Sequence, residues 1–303
     1  MGSGQNGGHE RPATTFLPYG GELVVRGGRR PRGATVKTPE QVALMRDAGL
    51  VVARTLERLV AAVKPGVSTG ELDALAEEMI RGQEAVPSFL GYHGFAGSIC
   101  ASVGSEVVHG IPRADRVLSD GELISIDCGA ILGGWHGDAA VTVPVGDCAP
   151  ELLELSEVTE QALWAGLRAA LDGGRLSDIG AAVEAVVRPH GFGLVEGYTG
   201  HGIGRSMHEP PYVPNTAPQG PGRGMELEPG VVLAVEPMVT LGSPDVTELG
   251  DGWTVVTLDG RAAAHWEHTV AVTPDGPWVL TALDGGVTGL TGADGLDPGR
   301  ART

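Results

Sequence analysis

Apolar residues recur at helical intervals from Thr38 onward. Val42, Met45, Leu50, Val52, Leu56, Leu59 and Val63 give a stretch compatible with a long amphipathic helix, with Thr38 as its cap and Pro65-Gly66 as its end. A second helix is predicted over 69–82, with Leu72, Leu75, Ala76 and Met79 on one face. The period then shortens to that of strands, over 99–108, 122–132 and 135–145, bounded by Gly and Asp turns. Helices return at 151–170 and 177–187, and strands at 231–239, 253–258 and 263–272. Residues 1–36 and 285–303 carry Gly-rich, unpatterned sequence and read as flexible extensions around a folded domain at 37–284.

That order of elements repeats. A shift of about 107 residues lays Gly66 on Gly173, Leu72 on Ile179, Ala74 on Ala181 and Met79 on Val186. Gly91-Tyr92-His93-Gly94 then meets Gly197-Tyr198-Thr199-Gly200. The strand ending in Asp127 overlays the one ending in Glu236, and the strand opening at Asp138 overlays the one opening at Glu267. Either aspartate alone reads as an ordinary strand-edge acid. Recurrence of an acid at both strand positions in both halves points instead to four carboxylates converging about a pseudo-two-fold axis, which requires cations between them.

Composition narrows the partners. Lys+Arg 21 against Asp+Glu 38 leaves a formal net charge of -17, which argues against bulk attraction to nucleic acid or anionic membrane. No apolar run approaches the roughly 18 residues needed to span a bilayer. Cys100, Cys128 and Cys148 are odd in number and form no C-x-x-C pair, which fits reduced thiols in the cytoplasm. Arg26, Arg29, Arg30, Arg32 and Lys37 form a local basic run, readable as a solvated tail or as an arm docking on a ribosome-like surface.

Oxygen-rich ligation suits Mn, Fe or Co better than a structural zinc site. Histidines to complete the site are available as His201 and His208 in the glycine-rich segment 200–209 and as His109 in VVHGIP, with weaker claims for His136, His265 and His268. The chain has no H-E-x-x-H helix and no phosphate-binding loop of the G-x-x-x-x-G-K-[ST] type. The blocks SEVVHGIP, GELISIDCGAILGGWHGDA, GYTGHGIGRSMHE, AVEPM and AHWEHTVAVT, in this order, resemble those of type I methionine aminopeptidases, and the likeness runs over about 37–283.

The resemblance implies an α+β pita-bread fold: duplicated half-domains, a central antiparallel sheet flanked by helices, and a dimetal site between the halves. It implies Asp127, Asp138, His201, Glu236 and Glu267 as ligands of two divalent ions (Co, Mn, Fe or Zn), with Asp138 and Glu267 bridging. It implies hydrolysis by a metal-activated water, with Glu236 as proton acceptor, His208 on the scissile peptide and His109 near the leaving amine. The methionine pocket implied is Tyr92, Phe95, Cys100, Met207 and Trp253, with Phe89 at the rim. Phe89 stands where relatives often have cysteine, and Met207 where an aromatic is usual. The expected substrates are N-termini of nascent polypeptides with a small second residue, acted on by a monomer. A proline-specific aminopeptidase or prolidase, or a binding protein without catalysis, are the alternatives on the same fold.

Overall fold

A capping box opens the first helix. In the computed structural model, which describes residues 33–218 and 224–291, Thr38 Oγ1 accepts from the Gln41 N–H and Gln41 Oε1 accepts from the Thr38 N–H. Helix α1 (Pro39–Ala62) follows. It buries Val42, Met45, Ala48, Gly49, Val52, Leu56 and Leu59, while Leu50 and Val63 lie at the margins of that face. Ser68 and Glu71 form a second capping box at the start of α2 (Thr69–Arg81). The later helices are α3 (Pro150–Arg168), α4 (Leu176–Val187) and the short α5 (Val287–Thr291).

The strands, in chain order, are β1 (Val86–Pro87), β2 (Ile99–Val103), β3 (Glu106–Val108), β4 (Leu123–Leu132), β5 (Trp135–Pro144), β6 (Gly193–Leu194), β7 (Gly200–Gly202) and β8 (Glu209–Val213). They continue as β9 (Val232–Val235), β10 (Met238–Thr240), β11 (Val246–Glu248), β12 (Val255–Thr257), β13 (Ala263–His265), β14 (Glu267–Thr273) and β15 (Gly276–Val279). Nine of them form one sheet in the order β1-β4-β5-β14-β9-β7-β8, with β2 also on β4 and β15 also on β14. Every pairing in it is antiparallel. Two three-stranded sheets, β13-β10-β6 and β11-β12-β3, complete the fold.

The duplication is visible in this order, because β4-β5 and β14-β9 are mirrored about the β5–β14 seam. At the seam Glu267 lies opposite Ala140 and His268 opposite Ala139. One side chain ties the seam: Thr269 Oγ1 donates to the Asp138 carbonyl at 2.8 Å and accepts the Asp138 N–H at 3.1 Å. Each half has its own core. Val52, Leu56, Leu72 and Ile80 of α1 and α2 pack on Ile99, Ile124 and Ile126, and Leu163, Leu167, Leu176 and Ile179 of α3 and α4 pack on Leu233, Val235 and Val270.

Several strand boundaries differ from expectation. The span 99–108 breaks into β2 and β3 at Gly104, whose φ of 68° turns the chain. The span 231–239 breaks after Val235, where Pro237 has no N–H to give a ladder. The span 263–272 breaks at Trp266, so that β13 joins a different sheet from β14. Lys37 is not part of an exposed basic run: it is buried, and its Nζ lies 2.9 Å from Glu209 Oε2. The arginines of that run lie outside the described residues, as does 292–303, whereas 287–291 is helical.

Candidate metal centre and active site

The seam strands deliver the acids. Asp127 sits mid-β4 and Asp138 near the start of β5; Glu236 follows the last residue of β9, and Glu267 opens β14. All four line one cavity, together with His201 of β7. The Asp138 carboxylate interacts with those of both Asp127 and Glu267, an oxygen-to-oxygen approach that needs a proton or a cation between the partners. His201 Nε2 lies 3.5 Å from Glu236 Oε1 and 3.9 Å from Asp138 Oδ2. Ligand atoms of Asp138, His201 and Glu267 all fall within 4.8 Å of one another.

Electrostatics follow from this crowding. Burial, reinforced by neighbouring carboxylates, pushes Asp138, Glu236 and Glu267 well above the ordinary carboxylate range, and burial lifts Asp127 to about 7. Among the described residues no Lys or Arg lines the cavity. Asp127 Oδ1, Asp138 Oδ1 and Glu267 Oε1 are buried without a hydrogen-bond partner among the described residues. Orphaned, mutually repelling oxygens beside an imidazole are a donor set that fits hard or borderline divalent cations. The tautomer of His201 fits too: its Nδ1–H donates to the Gly202 carbonyl at 2.9 Å, which leaves the Nε2 lone pair facing the acids.

The remaining expected site residues line the same cavity: His109, His208, Phe89, Tyr92, Phe95, Cys100, Met207 and Trp253. His208 Nδ1 is 2.9 Å from the Tyr92 hydroxyl, and its ring is 4.2 Å from that of His201. Burial, with neighbouring histidines, holds it neutral at physiological pH. His109 has a left-handed backbone with φ of 60°, and burial lowers its pKa to about 4. Phe95 meets Trp253 edge-on at 5.0 Å, and Phe89, Cys100 and Met207 pack in the same apolar cluster. Burial and adjacent acids push the Cys100 thiol up, away from the thiolate a nucleophile needs.

Of the weaker candidates, His136 bonds to Ser88 through Nδ1 and His268 to Thr281, and neither lines the cavity. His265 does line it. Its position two residues before Glu267 was a signal for this, since alternate residues of an extended chain share a face. Sequence reasoning also missed the clamp on the segment carrying His208. There, Glu209 holds Lys37 through one oxygen and the N–H groups of Arg205 and Ser206 through the other, while the Arg205 guanidinium lies 4.2 Å above the Trp135 ring.

A duplicated antiparallel sheet whose cavity gathers four carboxylates and an imidazole, with Asp138, His201 and Glu267 close enough to hold a metal ion, is the architecture of a metallopeptidase, and the chain belongs to metallopeptidase family M24, whose model matches residues 43–274. It is 52% identical over 247 residues to methionine aminopeptidase 1 of Bacillus subtilis, covering 82% of this chain and 98% of that one. Among solved structures, methionine aminopeptidase from Thermotoga maritima matches with a TM-score of 0.80 at 38% identity, over 82% of this chain and 100% of that chain. Xaa-Pro dipeptidase from Bacillus anthracis matches with a TM-score of 0.66 at 25% identity, over 81% of this chain and 61% of that one.

Proposed function

We propose that the protein removes the N-terminal methionine from nascent polypeptides whose second residue is small, as a cytoplasmic, monomeric metallo-aminopeptidase. The observation that carries this reading is the meeting, in one cavity, of four carboxylates, the histidines His109, His201 and His208, and an apolar pocket. Asp127, Asp138, His201, Glu236 and Glu267 would hold two divalent ions, Co, Mn, Fe or Zn. Such ions supply Lewis acidity and make water acidic enough to ionise near neutral pH.

The side chains of Phe89, Tyr92, Phe95, Cys100, Met207 and Trp253 take the methionine side chain, a thioether suited to aromatic contact. The substrate α-amine lies toward Asp127, which limits cleavage to one residue from the end. Glu236 accepts a proton from the attacking water, a role open to an ionised carboxylate lining the cavity. His208, neutral and oriented through Nδ1 by Tyr92, presents Nε2–H to the scissile carbonyl oxygen and stabilises the charge that develops there. His109 serves the leaving amine. The second residue of the substrate lies against the glycine-rich segment 200–208 and the ligand shell, where little room remains for a long side chain. Ribosome contact through residues 1–32 completes the proposal.

The test is methionine release from Met-X-Met peptides, with X rising from Gly through Val to Leu and Lys, alongside an X-Pro peptide. Release that falls steeply with the size of X, with the X-Pro peptide uncut, is expected. Rates independent of X, or preferred cleavage of X-Pro, would refute the reading.

A further inference from the structure

His265 lines the cavity, yet the mechanism above gives it no task. It ends β13 and is 2% exposed. Its backbone is held in place: the N–H donates to Thr142 Oγ1 at 2.9 Å, and the carbonyl accepts from the same hydroxyl at 2.7 Å. A ring so buried has little freedom to turn elsewhere. Nε2 has no hydrogen-bond partner among the described residues, and lies 3.8 Å from Glu236 Oε2 and 4.0 Å from Glu267 Oε2.

The contrast with His201 is informative. The Nδ1–H of His201 is taken by the Gly202 carbonyl, so its Nε2 carries a lone pair and is 3.5 Å from Glu236 Oε1. Facing two carboxylate oxygens, an Nε2 lone pair on His265 would be repelled and an Nε2–H attracted. The Glu236 carboxylate therefore stands between two imidazoles, with His201 facing one oxygen and His265 the other.

We propose that His265 is a positioning residue for Glu236: its Nε2–H donates to Oε2 and so keeps Oε1 turned toward His201. The present 3.8 Å is longer than a hydrogen bond, so the role requires Oε2 to draw closer to Nε2 by roughly 1 Å. The role rests on the reading of Glu236 as both ligand and proton acceptor. Partners that orient ligating carboxylates are worth roughly 10–100-fold in activity or metal affinity.

The experiment uses full-length protein loaded with Mn(II). Pulsed EPR counts the imidazole nitrogens on the metal in wild type, His201→Ala, His265→Ala and His265→Gln, and kcat and KM are measured on Met-Gly-Met. One nitrogen is expected in wild type and in both His265 variants. The kcat of His265→Ala should fall roughly 10–100-fold with KM little changed, and His265→Gln, which restores an N–H donor, should recover most of it. A second nitrogen in wild type makes His265 a ligand and overturns the proposal, whatever the variants do. So does a kcat in His265→Ala within about twofold of wild type, or a folded His265→Gln no better than Ala. If His201→Ala keeps its nitrogen, the metal-site reading itself has failed.

Discussion

Asp138 is fixed by a hydroxyl 131 residues away in sequence, since Thr269 Oγ1 bonds both its N–H and its carbonyl. Thr269→Val keeps the shape and removes both bonds, leaving a buried N–H and C=O unsatisfied. A loss of roughly 1–3 kcal/mol in urea unfolding is expected, with reduced turnover because Asp138 is no longer held. His208→Ala should lower kcat by about 10²-fold or more, the range for losing one positioned donor, while metal content by atomic emission stays near wild type. Normal turnover in that variant would make His208 structural. The four acids that line the cavity were legible because they repeat in sequence. Thr269 and the Glu209 clamp were not, because their partners are supplied by strand pairing and by a chain segment far away, and no local pattern marks that.

Helix α1 and strand β5 touch backbone to backbone where Gly49 meets Gly137, next to Asp138. A Cβ on Gly137 would sit 2.8 Å from the Gly49 Cα, and one on Gly49 would sit 2.2 Å from the Leu280 carbonyl oxygen. Gly137→Ala is therefore expected to force α1 off the sheet, at a cost of roughly 1–3 kcal/mol for overpacking, and to lower metal affinity as Asp138 shifts; calorimetry and metal titration read the two effects. Lys37→Met should destabilise the fold by roughly 3 kcal/mol, since it leaves Glu209 without its buried cation, and should depress kcat through the adjoining His208. Deletion of 2–32 should leave both quantities near wild type. At this scale the sequence periodicity located the helices and the long strands well. It merged β2 with β3, β9 with β10 and β13 with β14, because breaks at a turn glycine, a proline and Trp266 interrupt pairing without interrupting the apolar run.

Across the whole molecule, proton binding and metal binding compete for the same oxygens. Acids whose folded pKa is raised hold more protons folded than unfolded from about pH 4 up to that raised value, so the metal-free fold loses stability as pH rises through the interval. The buried histidines act oppositely and lower down: His109 and His201 at about 4 and His265 at about 3 add stability as pH rises toward about 6.5, then stop. Between about pH 6.5 and 8 the histidine contribution is complete and the acids still change, with Asp127 at about 7 and Asp138, Glu236 and Glu267 held well above the ordinary carboxylate range by burial. The Tm of chelator-treated protein should therefore fall across that window, and added Mn(II) should raise Tm more at pH 8 than at pH 6.5. An equal Mn(II) effect at both ends would show that the acids carry no protons to displace.

The central claim is that the seam between the two halves is a metal-dependent site for removing methionine. The most direct measurement titrates chelator-stripped protein with Mn(II) while following methionine released from Met-Gly-Met, with Asp138→Ala in parallel. No release without metal, recovery that saturates as ions fill the site, and none from Asp138→Ala at any concentration is the predicted result. Full release by the stripped protein, or metal-restored release by Asp138→Ala equal to wild type, would contradict it.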